Sequence, residues 1–165
     1  MDKVKIGIIG LGGRGLYFAD LFGKNPRSEV VALSDTDPER IEFTRGKWKD
    51  SVSYYTNNEE MLSKEDIDAV VVATSDNMHK ENALEVFKYK KHLLLEKPMA
   101  QSIEDCDAII KAWKEAGSIF MIGLELRYCL LFTQMKAMID SGEIGDVKLG
   151  MAIDNVSVEI GRASC

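Results

Sequence analysis

Only two histidines, His79 and His92, occur among the 165 residues. They are too few and too far apart for a local zinc motif. The three cysteines, Cys106, Cys129 and Cys165, have no C-x-x-C spacing. Neither a metal site nor a disulfide framework is indicated, and Cys106 and Cys129 are expected as buried free thiols. No long basic block is present and the formal net charge is −6, which argues against a nucleic-acid partner. No apolar run approaches the roughly 18 residues that span a bilayer, so no membrane partner is expected. The N-terminus, Met1-Asp-Lys-Val-Lys5, enters the first strand almost at once, which leaves no room for a signal peptide. A cytoplasmic location is the expectation.

What is present is the balance of an ordinary globular protein, 45% hydrophobic and 29% charged, long enough for one good core. Apolar runs alternate with helical patterns. Strands are predicted at about Val4 to Ile9, Val30 to Ser34, Val52 to Tyr55, Ala69 to Ala73, His92 to Leu95 and Ile119 to Ile122. Several are continuous Val/Ile/Leu runs, as in parallel strands covered on both faces. Asn57-Asn-Glu-Glu60 and Ser102-Ile-Glu-Asp105 resemble capping boxes that open helices. The alternation predicts an α/β fold with a doubly wound, mostly parallel sheet and ligands beyond the strand C-termini. A further helix from about Tyr128 to Ile139 carries Leu131, Phe132, Met135, Met138 and Ile139, read as core packing. Val147 to Val158 alternates and is predicted as one extended strand, the first of a truncated second α+β domain. An unpaired edge of that kind invites pairing with another copy, so self-association near Leu149 to Val158 is expected.

The stretch Ile6-Gly-Ile-Ile-Gly-Leu-Gly-Gly-Arg-Gly15 runs an apolar strand into Gly10, Gly12 and Gly15. Gly10 permits a tight turn, Gly12 lacks a Cβ that would block a pyrophosphate, and Gly15 lets the next helix pack closely on the sheet. Phosphates would meet unpaired N–H groups at the helix start near Gly13 and Arg14, where the helix dipole favours negative charge. A glycine turn of this kind can also serve packing alone. Its context, a strand before, an amphipathic run after and an acid about 20 residues on, is that of a dinucleotide-binding fingerprint.

The acid is Asp35, at the end of Val30-Val-Ala-Leu-Ser-Asp35. A carboxylate accepts hydrogen bonds from both hydroxyls of an adenosine ribose and repels a 2′-phosphate, which favours NAD over NADP. Asp37, before Pro38, is the better helix cap and leaves Asp35 free. Arg40, one turn into that helix, could reach a 2′-phosphate and keeps NADP as the lesser alternative.

Two further strand ends carry polar residues: Thr74-Ser-Asp-Asn-Met-His79, and Glu96-Lys97-Pro98, where proline must end the strand. Together with the glycine loop, Asp35, Arg127-Tyr128 and Glu143-Ile-Gly-Asp-Val147, they resemble the N-terminal half of the Gfo/Idh/MocA oxidoreductases over about Lys3 to Ala152. The resemblance implies a Rossmann fold and NAD(P)-dependent oxidation of a sugar, cyclitol or related polyol. It also implies cofactor contacts from Gly10, Gly12, Gly13, Arg14, Gly15 and Asp35, a nicotinamide side lined by Thr74, Asn77 and His79, and Glu96 and Lys97 at the nicotinamide ribose and substrate. Family members often carry a proline where this chain has Ser75, and often a cis proline at the position of Pro98.

Lys97 is the expected catalytic residue, its ammonium meeting the reacting oxygen and joining a proton relay. A solvated loop lysine is the plain alternative, and for His79 a polar helix-start residue. Arg127 either positions substrate or serves a helix start. Domains are expected at 1–125, a dinucleotide-binding unit, and 126–165, a linking helix and the start of a substrate and oligomerisation domain. A chain so divided is expected to bind NAD with little turnover. A nucleotide-sensing module without turnover and an adenosylmethionine-dependent methyltransferase are the competing readings, and the latter gives Glu96-Lys97-Pro98 no role.

Overall fold

The computed structural model describes residues 2–48 and 52–153. Contacts divide the chain into two units, with the boundary between Gly123 and Leu124.

The first unit is a six-stranded sheet in the order β3-β2-β1-β4-β5-β6. The strands are β1 (Val4–Ile9), β2 (Ser28–Ser34), β3 (Ser53–Tyr55), β4 (Ala69–Val72), β5 (His92–Leu95) and β6 (Phe120–Ile122). Every neighbouring pair is parallel. Each crossover is therefore a helix: α1 (Gly13–Lys24), α2 (Pro38–Arg45), α3 (Asn58–Lys64), α4 (His79–Lys88) and α5 (Ile103–Ala116). The strand order reverses between β1 and β4, which pair along Ile6 to Ile9 although about sixty residues separate them.

Alternation along the strands sorts side chains into two cores. Ile6, Ile8, Val30, Leu33 and Val71 pack with Phe18 and Ala19 of α1 and Ile41 of α2. Ile9, Ala32, Val70, Val72, Leu93 and Leu95 pack on the opposite face with Met61, Val86, Phe87 and Ile109 of the other three helices. Both faces are covered, which is why the strands read as unbroken apolar runs.

Helix starts follow the local chemistry. Asp37 caps α2 by accepting from the Glu39 N–H at 2.9 Å, with Pro38 in the first turn. Asn57 accepts from the Glu60 N–H at 2.9 Å and Ser102 from the Asp105 N–H at 3.1 Å. Gly117, in the left-handed conformation with φ +66°, closes α5.

The second unit begins with a 3₁₀ turn, Glu125–Tyr128, and continues as α6, Leu130–Asp140. Three expectations are corrected here. Residues 147–153 form no strand, and the rest of the predicted 147–158 strand lies outside the described residues. A strand needs a partner for its N–H and C=O groups, and alternation of side chains does not provide one. The stripe Leu131, Phe132, Met135, Met138 and Ile139, expected in a core, is exposed. Cys129, expected to be buried, is exposed too, and Cys106 is half-buried; neither is in a disulfide.

Candidate functional site: a cavity at the sheet's C-terminal edge

Gly10 turns the chain out of β1 with φ +91°, a conformation that side chains rarely adopt, and its N–H donates to Ser34 O at 2.8 Å. A Cβ there would meet Ala73 O at 2.7 Å. At Gly15 a Cβ would fall 1.8 Å from Gly10 O, so α1 approaches the strand end more closely than any other residue type allows. Gly12 precedes α1 and offers no side-chain cap to its first N–H groups, and the space about the Cβ position of Gly13 is open for 4 Å. Those uncapped donors and the positive end of the helix form a ready anion site.

Beside the loop lies a cavity of about 280 Å³ that Gly10, Gly12, Asp35, Thr36, Arg40 and Thr74 help to line. Asp35, half-buried, accepts from the Leu11 N–H at 2.7 Å and from the Asp37 N–H at 2.9 Å, one bond to each oxygen. Each oxygen keeps further acceptor capacity, and the carboxylate is locked against the glycine loop. Arg40 reaches over Gly12, its Nη1 3.2 Å from where a Cβ would stand, and its Nε lies 3.6 Å from Asp37.

The expected residues fall into two groups. Gly10, Gly12, Asp35 and Thr74 meet at this cavity, with Gly13 and Gly15 in the adjoining helix start. Arg14, Asn77, His79, Glu96 and Lys97 do not line it. Asn77 is exposed on a 3₁₀ turn, Asp76–Met78, while Ser75, Met78 and Asn82 supply that wall instead.

His79 is withdrawn from this cavity. Its ring is 1% exposed, with Nδ1 2.6 Å from Pro98 O and Nε2 3.1 Å from Thr74 O. Each ring nitrogen faces a carbonyl acceptor, so the residue fastens the loop after β4 to the turn after β5. Glu96 is likewise withdrawn. It is 5% exposed, Oε1 pairs with Arg14 Nε at 2.7 Å, and Oε2 accepts from the Lys97 N–H at 3.2 Å. The Arg14 guanidinium also lies 5.1 Å from the centre of the Phe18 ring. Lys97 is exposed at the end of β5, before a cis peptide to Pro98.

Sequence reasoning missed Asn58 and Asn82, which sit in the cavity wall. Ser34 Oγ donates to Asn58 Oδ1 at 2.6 Å, Asn58 Nδ2 to Asn82 Oδ1 at 3.0 Å, and Asn82 Nδ2 to Thr74 Oγ1 at 3.0 Å. The one available signal was a polar Asn82 on the buried side of α4, beside Ala83 and Val86. Among the described residues no cluster of three His, Cys, Asp or Glu is placed to hold a metal ion, and no helix is long and apolar enough to cross a membrane.

A parallel sheet with a glycine turn, an uncapped helix start and an acid at its reversal point defines a dinucleotide-binding α/β domain. The chain belongs to the Gfo/Idh/MocA group: residues 4–124 match the oxidoreductase family, NAD-binding Rossmann fold. Among curated relatives it is 33% identical over 144 residues to an uncharacterized oxidoreductase of Streptococcus pneumoniae, covering 87% of this chain and 38% of that protein. It is 30% identical over 142 residues to myo-inositol 2-dehydrogenase of Thermotoga maritima, covering 86% and 42%. Among solved structures, WlbA dehydrogenase from Bordetella pertussis, in complex with NADH and UDP-GlcNAcA, superposes with a TM-score of 0.81 at 28% identity, covering 87% of this chain and 43% of that one. The chain thus spans about two fifths of the length of these relatives, 38% and 42% of the two curated ones.

Proposed function

We propose that this chain is the nucleotide-binding part of an NAD(P)-dependent oxidoreductase acting on a secondary alcohol of a sugar, cyclitol or related polyol. One observation carries the reading: an uncapped helix start, a glycine turn and the locked Asp35 carboxylate converge on a single cavity. The inositol named for the Thermotoga relative and the nucleotide sugar held by WlbA support a polyhydroxylated substrate.

In this reading the first N–H groups of α1 hold the pyrophosphate, and Gly12 leaves room for it. Asp35 accepts from the 2′- and 3′-hydroxyls of the adenosine ribose, which favours NAD over NADP. Thr74 and Asn77 serve the nicotinamide half. When bound, the nicotinamide ring supplies the hydride acceptor that turns an alcohol into a ketone. Lys97 holds the reacting oxygen, stabilises negative charge there and takes part in moving its proton. Glu96 and His79 act from behind, fixing the strand ends that carry Lys97 and Thr74.

The 165-residue chain is proposed to bind NAD with little turnover. Glu96, next to Lys97 in sequence, and His79 are already engaged with Arg14 and with carbonyl oxygens. A cytoplasmic setting, domains at 1–125 and 126–165, and self-association through residues 149–158 belong to the same proposal, the last to be read by sedimentation at several concentrations.

Calorimetric titration with NAD tests the core of it, beside a Gly12→Ala variant whose Cβ meets only the flexible end of Arg40. The expected result is binding by the native chain and at least tenfold weaker binding by the variant at unchanged melting temperature. Equal affinities, or none in the native chain, would overturn the reading. Binding with no oxidation of any polyol after the relatives' remaining length is supplied would favour a nucleotide-sensing module.

A further inference from the structure

We infer that the line of hydrogen bonds from Ser34 through Asn58 and Asn82 to Thr74 runs one way, and makes the Thr74 hydroxyl a dedicated donor to an acceptor oxygen of the bound dinucleotide. Asn58 and Asn82 are then positioning residues. The inference rests on the dinucleotide reading above and deepens it.

The four residues come from four elements: the end of β2, the first turn of α3, the second turn of α4 and the loop after β4. They meet because β2 and β4 flank β1. Ser34 is fully buried and Asn82 is 5% exposed, so their polar groups must be satisfied within the protein.

Hydroxyls and carboxamides could in principle run such a line in either direction. The placed atoms settle the choice: Asn58 Nδ2 faces Asn82 Oδ1 and Asn58 Oδ1 faces Ser34 Oγ. An amide NH₂ only donates and an amide carbonyl only accepts, so Asn58 gives a proton to Asn82 and takes one from Ser34. Asn82 must then turn its carbonyl to Asn58 and its NH₂ to Thr74. Thr74 Oγ1 receives a proton and has its own left to give. Among the described residues it donates no hydrogen bond to the protein. Thr74 lines the cavity next to the Gly10 turn, where a Cβ on Gly10 would come 2.8 Å from Thr74 N. The proton is therefore offered beside the pyrophosphate loop, to an oxygen and not to a donor group.

Fluorescence titration of the 165-residue chain with NADH tests this through a double-mutant cycle. Thr74→Val removes the donor from a half-buried position without touching the core, and the expected loss of affinity is about tenfold. Asn82→Asp keeps the shape, but the new carboxylate accepts where the amide donated and captures the Thr74 proton. The two losses should then overlap: Thr74→Val in the Asn82→Asp background should change affinity less than twofold. Thr74→Ser should keep native affinity. Unchanged affinity in Thr74→Val, or losses that multiply in the double variant, would overturn the relay while leaving the dinucleotide reading in place. A native chain that binds no NADH would overturn both. Should Asn82→Asp fail to fold by circular dichroism, the Thr74→Val and Thr74→Ser pair decides alone.

Discussion

The carboxylate of Glu96 stands 2.7 Å from the Nε of Arg14, joining the end of β5 to the first turn of α1 across 82 positions of sequence. Glu96 also packs against Gly123, where a Cβ would come 3.1 Å from its Oε1. This pair holds the carboxylate of the Glu-Lys-Pro turn.

Removing one partner leaves a buried charge. Arg14→Met should lower stability by about 2 kcal/mol, short of the full cost for a wholly buried pair because the arginine is partly exposed. Arg14→Met combined with Glu96→Gln should recover part of the loss, since the second change removes the stranded charge. Urea denaturation of the native chain, the two single variants and the double variant checks both statements. A double variant as unstable as the sum of the singles would contradict the pairing.

The glycines of the loop should separate sharply under substitution. Gly15→Ala places a methyl 1.8 Å from Gly10 O, so it should cost at least about 3 kcal/mol or prevent folding, and abolish NADH binding. Gly13→Ala meets nothing within 4 Å and removes a helical glycine, so its stability should stay within about 1 kcal/mol of native. Thermal melts of the two variants side by side provide the comparison.

Asp35 anchors the glycine loop through the Leu11 N–H as well as facing the cavity. Asp35→Ser should weaken NAD binding by more than tenfold and raise the ratio of NADP to NAD affinity, because the repulsion of a 2′-phosphate goes with the carboxylate. Calorimetry with both dinucleotides reads the ratio. An unchanged ratio would remove Asp35 from cofactor choice.

Burial pushes the Glu85 carboxyl above the usual glutamate range, with Glu59 adding to the rise and the Asn58 hydrogen bond and Lys88 opposing it. The folded chain therefore holds this proton more tightly than the unfolded chain does. The resulting stability is present below the ordinary glutamate value and is lost as pH rises through the raised one. Asp105, paired with Lys80, is shifted the other way, so its contribution is present at neutral pH and is lost as the carboxylate is protonated in acid. Glu85→Gln should flatten the first of these slopes and leave the second, as measured by melting temperature across the acid range.

Much of the first unit was legible because its signals are local. Gly10, Gly12 and Gly15 lie within six residues, Asp35 ends the next strand, and Asp37, Asn57 and Ser102 cap their helices within three positions. Pairings set by strand order were not legible. Asn58 meets Asn82 and Ser34, each 24 positions away, only because β2 and β4 lie on either side of β1. Glu96 and His79 were recognised as polar residues at strand ends, but which neighbours would claim their polar atoms depended on burial that no spacing encodes. Beyond Gly145 the alternating pattern suggested a strand where none is formed over 147–153, since periodicity reports which faces differ and not whether an edge is available.

The meeting of β1 with β4 also divides the first unit into two consecutive stretches of chain, one carrying the glycine turn and Asp35, the other carrying Thr74 and Lys97. Anything lodged above that seam touches both stretches at once and rivets them together. Occupancy would thereby be felt as resistance to parting of the two stretches.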